Sequence, residues 1–340
     1  MHRVLCCLIL LVGFGGRIVA QEGKSSYDFL NIPVSSHAHG LGGNNISIIE
    51  EDITMAYQNP ALLGQEMDMQ LSLNYMRYVA DMNIAGVSFG KAARARGAWS
   101  VGMQYFGYGE MKLAESNGVV TGTFSPKDII FNGMFSYDIT GRLRGGIDAK
   151  LVYSNYEQYS ALALCVDLGV NYYNPETEWS LSAVVKNAGG QLKRFNETFE
   201  RMPLDVQLGL SKTFRHAPFR ISVTAQHLTR WKMPYTAIND KLTDTEDNLV
   251  EKNKFAAHLF RHFIFAADYV PSQNLYIGLG YNYKTRSDMS TYRRNFLSGF
   301  SLGAGIKVKM FSIGASYAQH HIGGNTFMFN LTAGLSQFLR

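Results

Sequence analysis

The chain has 340 residues, and charged residues make up 17% of it, well below the roughly 25% typical of soluble domains. Its net charge of +5 is modest, and its basic residues are not interleaved with aromatic ones, which argues against nucleic-acid binding. After residue 20 no apolar stretch approaches the roughly 20 residues that a transmembrane helix needs, so a helical membrane protein is excluded.

Residues 1–20 have the pattern of an export signal. His2 and Arg3 precede an apolar run from Val4 to Phe14, which is too short to span a bilayer, and a small residue, Ala20, suits cleavage. We expect a signal peptide and a mature chain that begins near Gln21; an N-terminal membrane anchor is the alternative. No cysteine other than Cys165 follows residue 20, so no disulfide and no thiol-based metal site can form within the mature chain.

The stretch from Ser35 to Gly64 differs from all that follows, because it does not alternate. Its glycines provide backbone freedom for a tight loop or for close approach to another surface; they are Gly40, Gly42 and Gly43. Asn59 can cap a short helix, Pro60 suits the first helical position, and Gly64 can end the turn. An ordinary loop can contain the same capping and turn residues.

From residue 69 onwards, apolar and polar residues alternate in segments of about ten. In Gly97 to Gly107, for example, Trp99 and Val101 oppose Ser100 and Gly102. A membrane β-barrel needs strands of about this length with one apolar face. The predicted strands are 69–78, 82–90, 97–107, 127–138, 143–153, 160–173, 178–187, 204–211, 219–226, 259–270, 274–285, 297–308, 309–319 and 327–336.

Connection lengths distinguish a barrel from a soluble β-sandwich, whose strands also alternate. Outer-membrane barrels have tight turns at one end and longer loops at the other. If the first strand runs outward, the outer connections are mostly long, and the first one, near Asp81, is the short exception. The long ones are 108–126, 188–203, 230–258 and 286–296.

Tyrosines gather at strand ends on the apolar face, where an interfacial aromatic girdle belongs. We therefore predict an all-β fold. It is a transmembrane antiparallel β-barrel of about 14 strands formed by residues 69–340, with residues 21–68 as an N-terminal plug inside it. The tyrosines are Tyr75, Tyr105, Tyr137, Tyr153, Tyr172, Tyr283 and Tyr317.

The plug region resembles the N-terminal plug of the FadL-like family of outer-membrane barrels. The resemblance rests on a Gly-rich run, an acidic position and an Asn-Pro-Ala triplet. Within that family, the short spacing from glycine to acid and the compact size are most similar to the PorV/PorQ branch, which belongs to the type IX secretion system. The matching residues are Gly40, Gly42, Gly43, Asp52, Asn59, Pro60 and Ala61.

This resemblance implies a location in the cell outer membrane and a non-enzymatic role in protein secretion and cell-surface attachment. It further implies contact with outer-membrane lipid and with secretion-system proteins resembling PorV, PorU and PorZ. It implies no cofactor, no metal and no catalytic residue. The loops 108–126, 188–203 and 230–258 are the expected partner-binding surface, because they project furthest. The alternative function is a FadL-like transporter of hydrophobic small molecules, with 40–61 as its gate.

Other constellations have simpler explanations. Ser88 sits in a Gly-x-Ser-x-Gly pattern, but no helix follows, so a nucleophile elbow is not expected. His258 and His262 lack the glutamate of a zinc-protease helix. His37 and His39, with Glu51 and Asp52, form either a gating or metal cluster or plug-to-wall hydrogen bonds. Charged residues on the polar face are expected to pair inside the lumen: Arg144, Asp148, Lys150, Asp167, Lys186, Asp205 and Arg220.

Overall fold

A computed structural model of the protein describes residues 25–79, 81–93, 96–114, 119–195, 199–233, 235–238, 249–252, 255–289, 297–321 and 324–337. The expected signal peptide, residues 1–20, lies outside the described residues. Fourteen antiparallel strands form a closed barrel, as predicted. The barrel strands are β1 Gln70–Arg77, β2 Asn83–Ala93, β3 Gly97–Gly107, β6 Lys127–Thr140, β7 Leu143–Tyr156, β8 Tyr159–Asn174, β9 Trp179–Lys193, β10 Asp205–Thr213, β11 Phe219–Ala225, β14 Phe263–Ser272, β15 Leu275–Asn282, β16 Phe300–Val308, β17 Phe311–His321 and β18 Gly324–Gly334.

The barrel closes by pairing its first and last strands. In β1, Tyr75 lies opposite Phe329 of β18 on one side and Ala85 of β2 on the other. Every neighbouring pair around the barrel is antiparallel and, apart from β1 with β18, consecutive among the barrel strands. Closure removes the free edges that a sheet would otherwise expose, which is what a strand protein needs in a membrane.

The alternation in the sequence corresponds to the two faces of the wall. In β1 the side chains of Ser72 and Asn74 are buried inside, whereas Leu73 and Tyr75 are almost half exposed on the outside. The same holds around the barrel, where large apolar side chains point outward from nearly every strand. An apolar outer belt over polar inner positions is the pattern of a membrane barrel.

Several predicted strand ends were wrong by three or more residues, and three of these differences have a clear local cause. β9 continues to Lys193, beyond the predicted end, because a bulge at Asn187, which has a φ of 57°, lets the strand go on. β14 begins only at Phe263, because Phe255–Phe260 is helical. β15 ends at Asn282, whose side chain accepts from the Thr285 N–H and caps the helix Tyr283–Asp288. Tyr283 therefore lies in a helix and not in the strand-end girdle.

We call the end with the long connections the outer end and the opposite end the inner end. Two outer connections contain small hairpins of their own, which the sequence reading did not predict: β4 Met111–Ala114 with β5 Val120–Phe124, and β12 Tyr235–Ile238 with β13 Leu249–Lys252. The β7–β8 connection is a second short outer turn, since Tyr156 pairs with Tyr159.

Residues 25–69, which we call the luminal segment, lie inside the barrel. They form one short α-helix, Ser36–Gly40, and the 3-10 helices Asp28–Asn31, Ile53–Tyr57, Pro60–Leu62 and Gln65–Met67. The α-helix packs against β15 to β18, and Pro60–Leu62 packs against β6 to β8 on the opposite wall. Among the described residues no helix is long and apolar enough to cross a bilayer.

A charge placed on the outer belt should destabilise the barrel according to its depth. Phe329 is half exposed in the middle of β18, whereas Phe311 is the first residue of β17. We expect Phe329→Arg to lower the free energy of unfolding by about 2–4 kcal/mol and Phe311→Arg by about 0–1 kcal/mol. Denaturant unfolding in lipid vesicles measures both. Equal effects would contradict the placement of these side chains in lipid.

Candidate functional site

The helix Ser36–Gly40 approaches the wall as closely as backbones allow. Ser35 caps it by accepting from the Ala38 N–H at 3.3 Å. A Cβ on Gly40 would lie 2.6 Å from the Gly303 Cα, so only glycine fits there. The chain then turns through Gly42 and Gly43, whose φ angles of 96° and 93° favour glycine. The glycine run therefore serves both close approach and a tight turn.

His37 is the centre of a buried ionic cluster between the luminal segment and the wall. Its Nδ1 lies 2.6 Å from Glu50 Oε1, and its Nε2 lies 3.0 Å from Asp268 Oδ1 on β14. Arg220 of β11 lies 2.9 Å from Asp268 and 3.5 Å from Glu50. The ring stacks on Tyr276, with centroids 3.8 Å apart. We call His37, Glu50, Arg220 and Asp268 the ionic cluster.

The charge state of the ionic cluster follows from this geometry. Burial lowers the pKa of His37, but the Glu50 and Asp268 carboxylates raise it more, and the result is about 9. The pKa of Glu50 is lowered, because His37 and Arg220 outweigh the effect of burial. At neutral pH the cluster thus holds two cations and two anions. Both imidazolium N–H groups donate to carboxylates, so the buried charges are paired.

His39 binds a different part of the wall through neutral partners. Its Nδ1 lies 2.8 Å from Ser316 Oγ and its Nε2 3.1 Å from Thr326 Oγ1. The two histidines are therefore not brought together. Within the described ranges, no group of three or more His, Cys, Asp or Glu side chains is arranged to hold a metal ion.

The neighbouring acidic residues have separate tasks at the inner end. Asp52 caps the 3-10 helix Ile53–Tyr57 by accepting from the Thr54 N–H at 2.9 Å. Burial and the nearby Glu50 carboxylate raise the pKa of Asp52 to about 6. Glu51 is more exposed and pairs with Lys307 of β16. Asp52, the acidic residue of the motif, thus caps a helix beside the ionic cluster and is not part of that cluster.

The Asn-Pro-Ala triplet fixes the luminal segment against β7 and β8. Asn59 is fully buried; it accepts from the Ala61 N–H at 2.9 Å and donates to the Ile46 carbonyl at 3.0 Å. Pro60 occupies the first turn, as expected. The prediction for Gly64 was wrong, because the turn ends at Leu63 and Gly64 precedes the next 3-10 helix.

Most of the inward-pointing charges are paired, as the sequence indicated. Lys150 donates to Asp167 at 2.5 Å, and Asp167 also accepts from the Asn187 N–H at the bulge. Arg144 donates to Asp138 at 2.6 Å and lies 3.4 Å from Glu66 of the luminal segment. These bonds join neighbouring strands to each other and to the segment inside them.

The remaining motif residues have structural surroundings. Ser88 is buried in the middle of β2, with strand on both sides, so it has no strained elbow. His258 accepts from the Met233 N–H, whereas the two ring nitrogens of His262 face backbone carbonyls of Gln226 and Trp231. These two histidines thus bind different backbone groups and share no ligand.

Sequence reasoning missed one feature: the inner wall is apolar near the outer end on one side. The side chains there are buried and contact Tyr27, Phe29 and Leu30 of the luminal segment. The sequence does contain a sign of this patch: at the outer ends of these strands, apolar residues occupy the alternate positions that are polar elsewhere in the strand. We call this wall set the outer apolar patch: Met76, Ile84, Phe106, Ile130, Val152 and Met328.

Two larger cavities also lie in the lumen. The outer cavity, about 230 Å³, is lined by polar groups that include Asn44, Gln207, Gln226 and Asn282. The inner cavity, about 370 Å³, is lined by the acidic turn and by wall residues of β11, β15 and β16. The outer apolar patch borders a pocket of only about 30 Å³, since the luminal segment fills it.

Asn59 should contribute more stability than an exposed asparagine that makes the same local bond. Asn174 accepts from the Glu176 N–H at 3.0 Å, but in an exposed turn. We expect Asn59→Ala to lower the free energy of unfolding by about 1–3 kcal/mol, because it leaves buried groups unsatisfied, and Asn174→Ala by about 0.5 kcal/mol or less. Denaturant titration tests this; equal losses would contradict it.

Docking of the luminal segment should weaken at alkaline pH. Because the pKa of His37 is raised from 6.5 to about 9, its contribution is complete below pH 6.5 and is lost as the pH rises through 9. Glu50, with a lowered pKa, loses its contribution only at acid pH. Unfolding midpoints between pH 6.5 and 9.5 should fall more for the wild type than for His37→Gln. Parallel pH profiles would disagree with the assignment.

The comparisons with known proteins concern the fold. The sequence matches no protein-family model and no curated protein. Solved structures of similar fold include the CymD monoaromatic hydrocarbon channel, with a TM-score of 0.52 and 14% identity over 89% of this chain and 97% of that one. The Pseudomonas putida toluene transporter TodX has a TM-score of 0.50 and 13% identity over 88% and 96% of the two chains. The protein is thus a closed, fourteen-stranded antiparallel barrel that shares its fold with these channels.

Proposed function

We propose that the protein is an outer-membrane channel for small hydrophobic molecules, which enter the lumen at the outer end. The outer apolar patch is the observation that supports this proposal. A barrel lumen that only held a polar plug would gain nothing from buried Met, Ile and Phe side chains there. Burial of apolar surface is worth roughly 25 cal/mol per Å², so such a patch must be covered.

The luminal segment covers the patch in the way a ligand would. Phe29 packs on Phe106 with ring centroids 5.1 Å apart, and Leu30 is buried beside it. The segment is held at the rim by a few polar bonds: Ser25 donates to the Arg201 carbonyl, and the Ser26 N–H donates to Glu200. A hydrophobic solute that replaces Phe29 would have to displace this part of the segment, which Tyr27 also joins to Gln191 and Asn31 to Asn187.

Similar folds give independent support for this class of ligand. CymD and TodX are described as monoaromatic hydrocarbon channels, and one TodX structure as a toluene transporter. At about 14% identity they share the fold with this chain, so the ligand class is carried over as part of the proposal. We assign the protein no catalytic step.

A natural reporter lies beside the patch. Cys165 is fully buried in the same cluster as Tyr27 and follows the expected signal sequence as the sole thiol. Displacement of Tyr27 and Phe29 by an apolar solute should expose its thiol to the lumen. We therefore expect toluene to raise the rate at which a small maleimide labels Cys165 in reconstituted vesicles.

Three substitutions make this experiment more specific. Phe29→Ala removes a bulky occupant of the patch, so the toluene concentration for half-maximal labelling should fall about tenfold. Phe329→Ala removes a ring from the lipid face and should leave it unchanged. Cys165→Ser gives the background. Labelling that ignores toluene in both the wild type and Phe29→Ala would contradict the proposed function.

A second candidate is a role in type IX secretion as a protein most similar to PorQ. It is favoured by the β4–β5 hairpin, which carries the exposed apolar side chains Met111, Val119 and Val120 at the outer end. Such side chains suit a partner protein, and the expected partners are proteins resembling PorV, PorU and PorZ. Crosslinking in intact cells through a photoreactive group at Met111, followed by mass spectrometry, tests it. Recovery of lipid alone would count against it.

A further inference from the structure

The two larger cavities lie one above the other along the same wall strands. Gln226, directly after β11, and Asn282, at the end of β15, line the outer cavity. Arg220, near the start of β11, and Tyr276, near the start of β15, line the inner cavity. The six residue steps of β15 from Tyr276 to Asn282 span about 20 Å. The two cavities are thus aligned along the barrel axis on the same side of the wall.

The barrier between the cavities rests on small wall residues. Between Tyr276 and Asn282 the inward positions of β15 are Gly278 and Gly280, which face Leu41 and Gly42. The strand therefore contributes no side chain to the barrier. The barrier consists of the luminal segment near the helix Ser36–Gly40.

The ionic cluster connects this barrier to the inner cavity. Glu50 and Arg220 both line the inner cavity, and His37 lies behind them in the helix. The turn that carries Glu50 is held by His37, by Arg220 and, through Glu51, by Lys307. If these ion pairs break, the helix loses its bonds to β14 and to the turn, and the barrier is held less firmly against the wall.

The rest of the luminal segment is anchored independently. Asn59 and Pro60 fit against Gly169 and Gly146 of the opposite wall, where any Cβ would clash. Displacement of the turn Ile49–Asp52 thus needs no release of the Asn-Pro-Ala region. The conformational change can be local.

We propose that a second, polar path runs through the lumen along β11 and β15, and that the ionic cluster is the latch that keeps it closed. Amides, hydroxyls and charged groups make up much of its lining, so the solutes it admits are ions and small hydrophilic molecules. This path goes beyond the hydrophobic channel proposed above, and its inner cavity shares no lining residue with the outer apolar patch.

Conductance across a planar bilayer tests the latch directly. With the purified full barrel in KCl at pH 7, the wild type should be mostly closed. His37→Gln and Asp268→Asn should each raise the mean current about tenfold or more, because each leaves a buried charge uncompensated. His39→Gln is the matched control, since the ring nitrogens of His39 bond the hydroxyl groups of Ser316 and Thr326. It should leave the current unchanged.

A pH series provides a test without any substitution. The charged and titratable groups that face His37 are Glu50 and Asp52 from the luminal segment, Arg220 from β11, Asp268 from β14 and Tyr276 from β15. As the pH rises through about 9, His37 loses its proton and the wild-type current should rise. The same rise should be absent in His37→Gln.

Three outcomes would overturn the latch. They are unchanged current in both latch variants although their barrels remain folded by heat-modifiability on gels, an equal rise in His39→Gln, or a wild-type current independent of pH. The toluene-dependent labelling of Cys165 is a separate measurement. If labelling fails while the latch variants conduct, the hydrophobic channel is wrong and the polar path stands.

Discussion

The structure depends on one constraint: polar groups sealed inside a closed barrel must find partners there. A buried donor or acceptor that stays unpaired costs about 1–3 kcal/mol. The luminal segment supplies these partners around the wall. The Ser36 N–H donates to Asn330, the Gly42 N–H donates to Ser301, and Ser136 donates to the Leu63 carbonyl. The luminal segment therefore stabilises the barrel in addition to filling its lumen.

The strands were predictable because the membrane imposes a strict rule on them. Alternation over about ten residues is required wherever one face meets lipid and the other does not. The strand ends were less predictable, since they are set by local bonds that compete with pairing. Asn282 stops β15 by capping a helix, and the bulge at Asn187 lets β9 continue. The outer hairpins β4–β5 and β12–β13 lie beyond the membrane, where the rule no longer applies.

The candidate site divides in the same way. The helix cap formed by Asn59 and Pro60 involves only neighbouring residues, so it could be predicted from the sequence. The partners of His37 could not, because Asp268 is 231 positions away and only the barrel register brings it near. The outer apolar patch was missed for another reason. Its apolar side chains occupy strand positions that point into the lumen, where polar residues were expected. The patch is recognised only in the structure, where Phe29 covers it.

The arrangement of the luminal segment also constrains the order of folding. Its helix packs on β15 to β18, the last strands of the chain, while Asn59 and Pro60 rest on β7 and β8. Contacts between such distant parts of a chain form late, because the intervening loop must first be closed. The helix residues are synthesised early, but the strands that they bind are the last to be synthesised. Pairing of β1 with β18 encloses it, so barrel closure and the seating of the helix belong to the same final step.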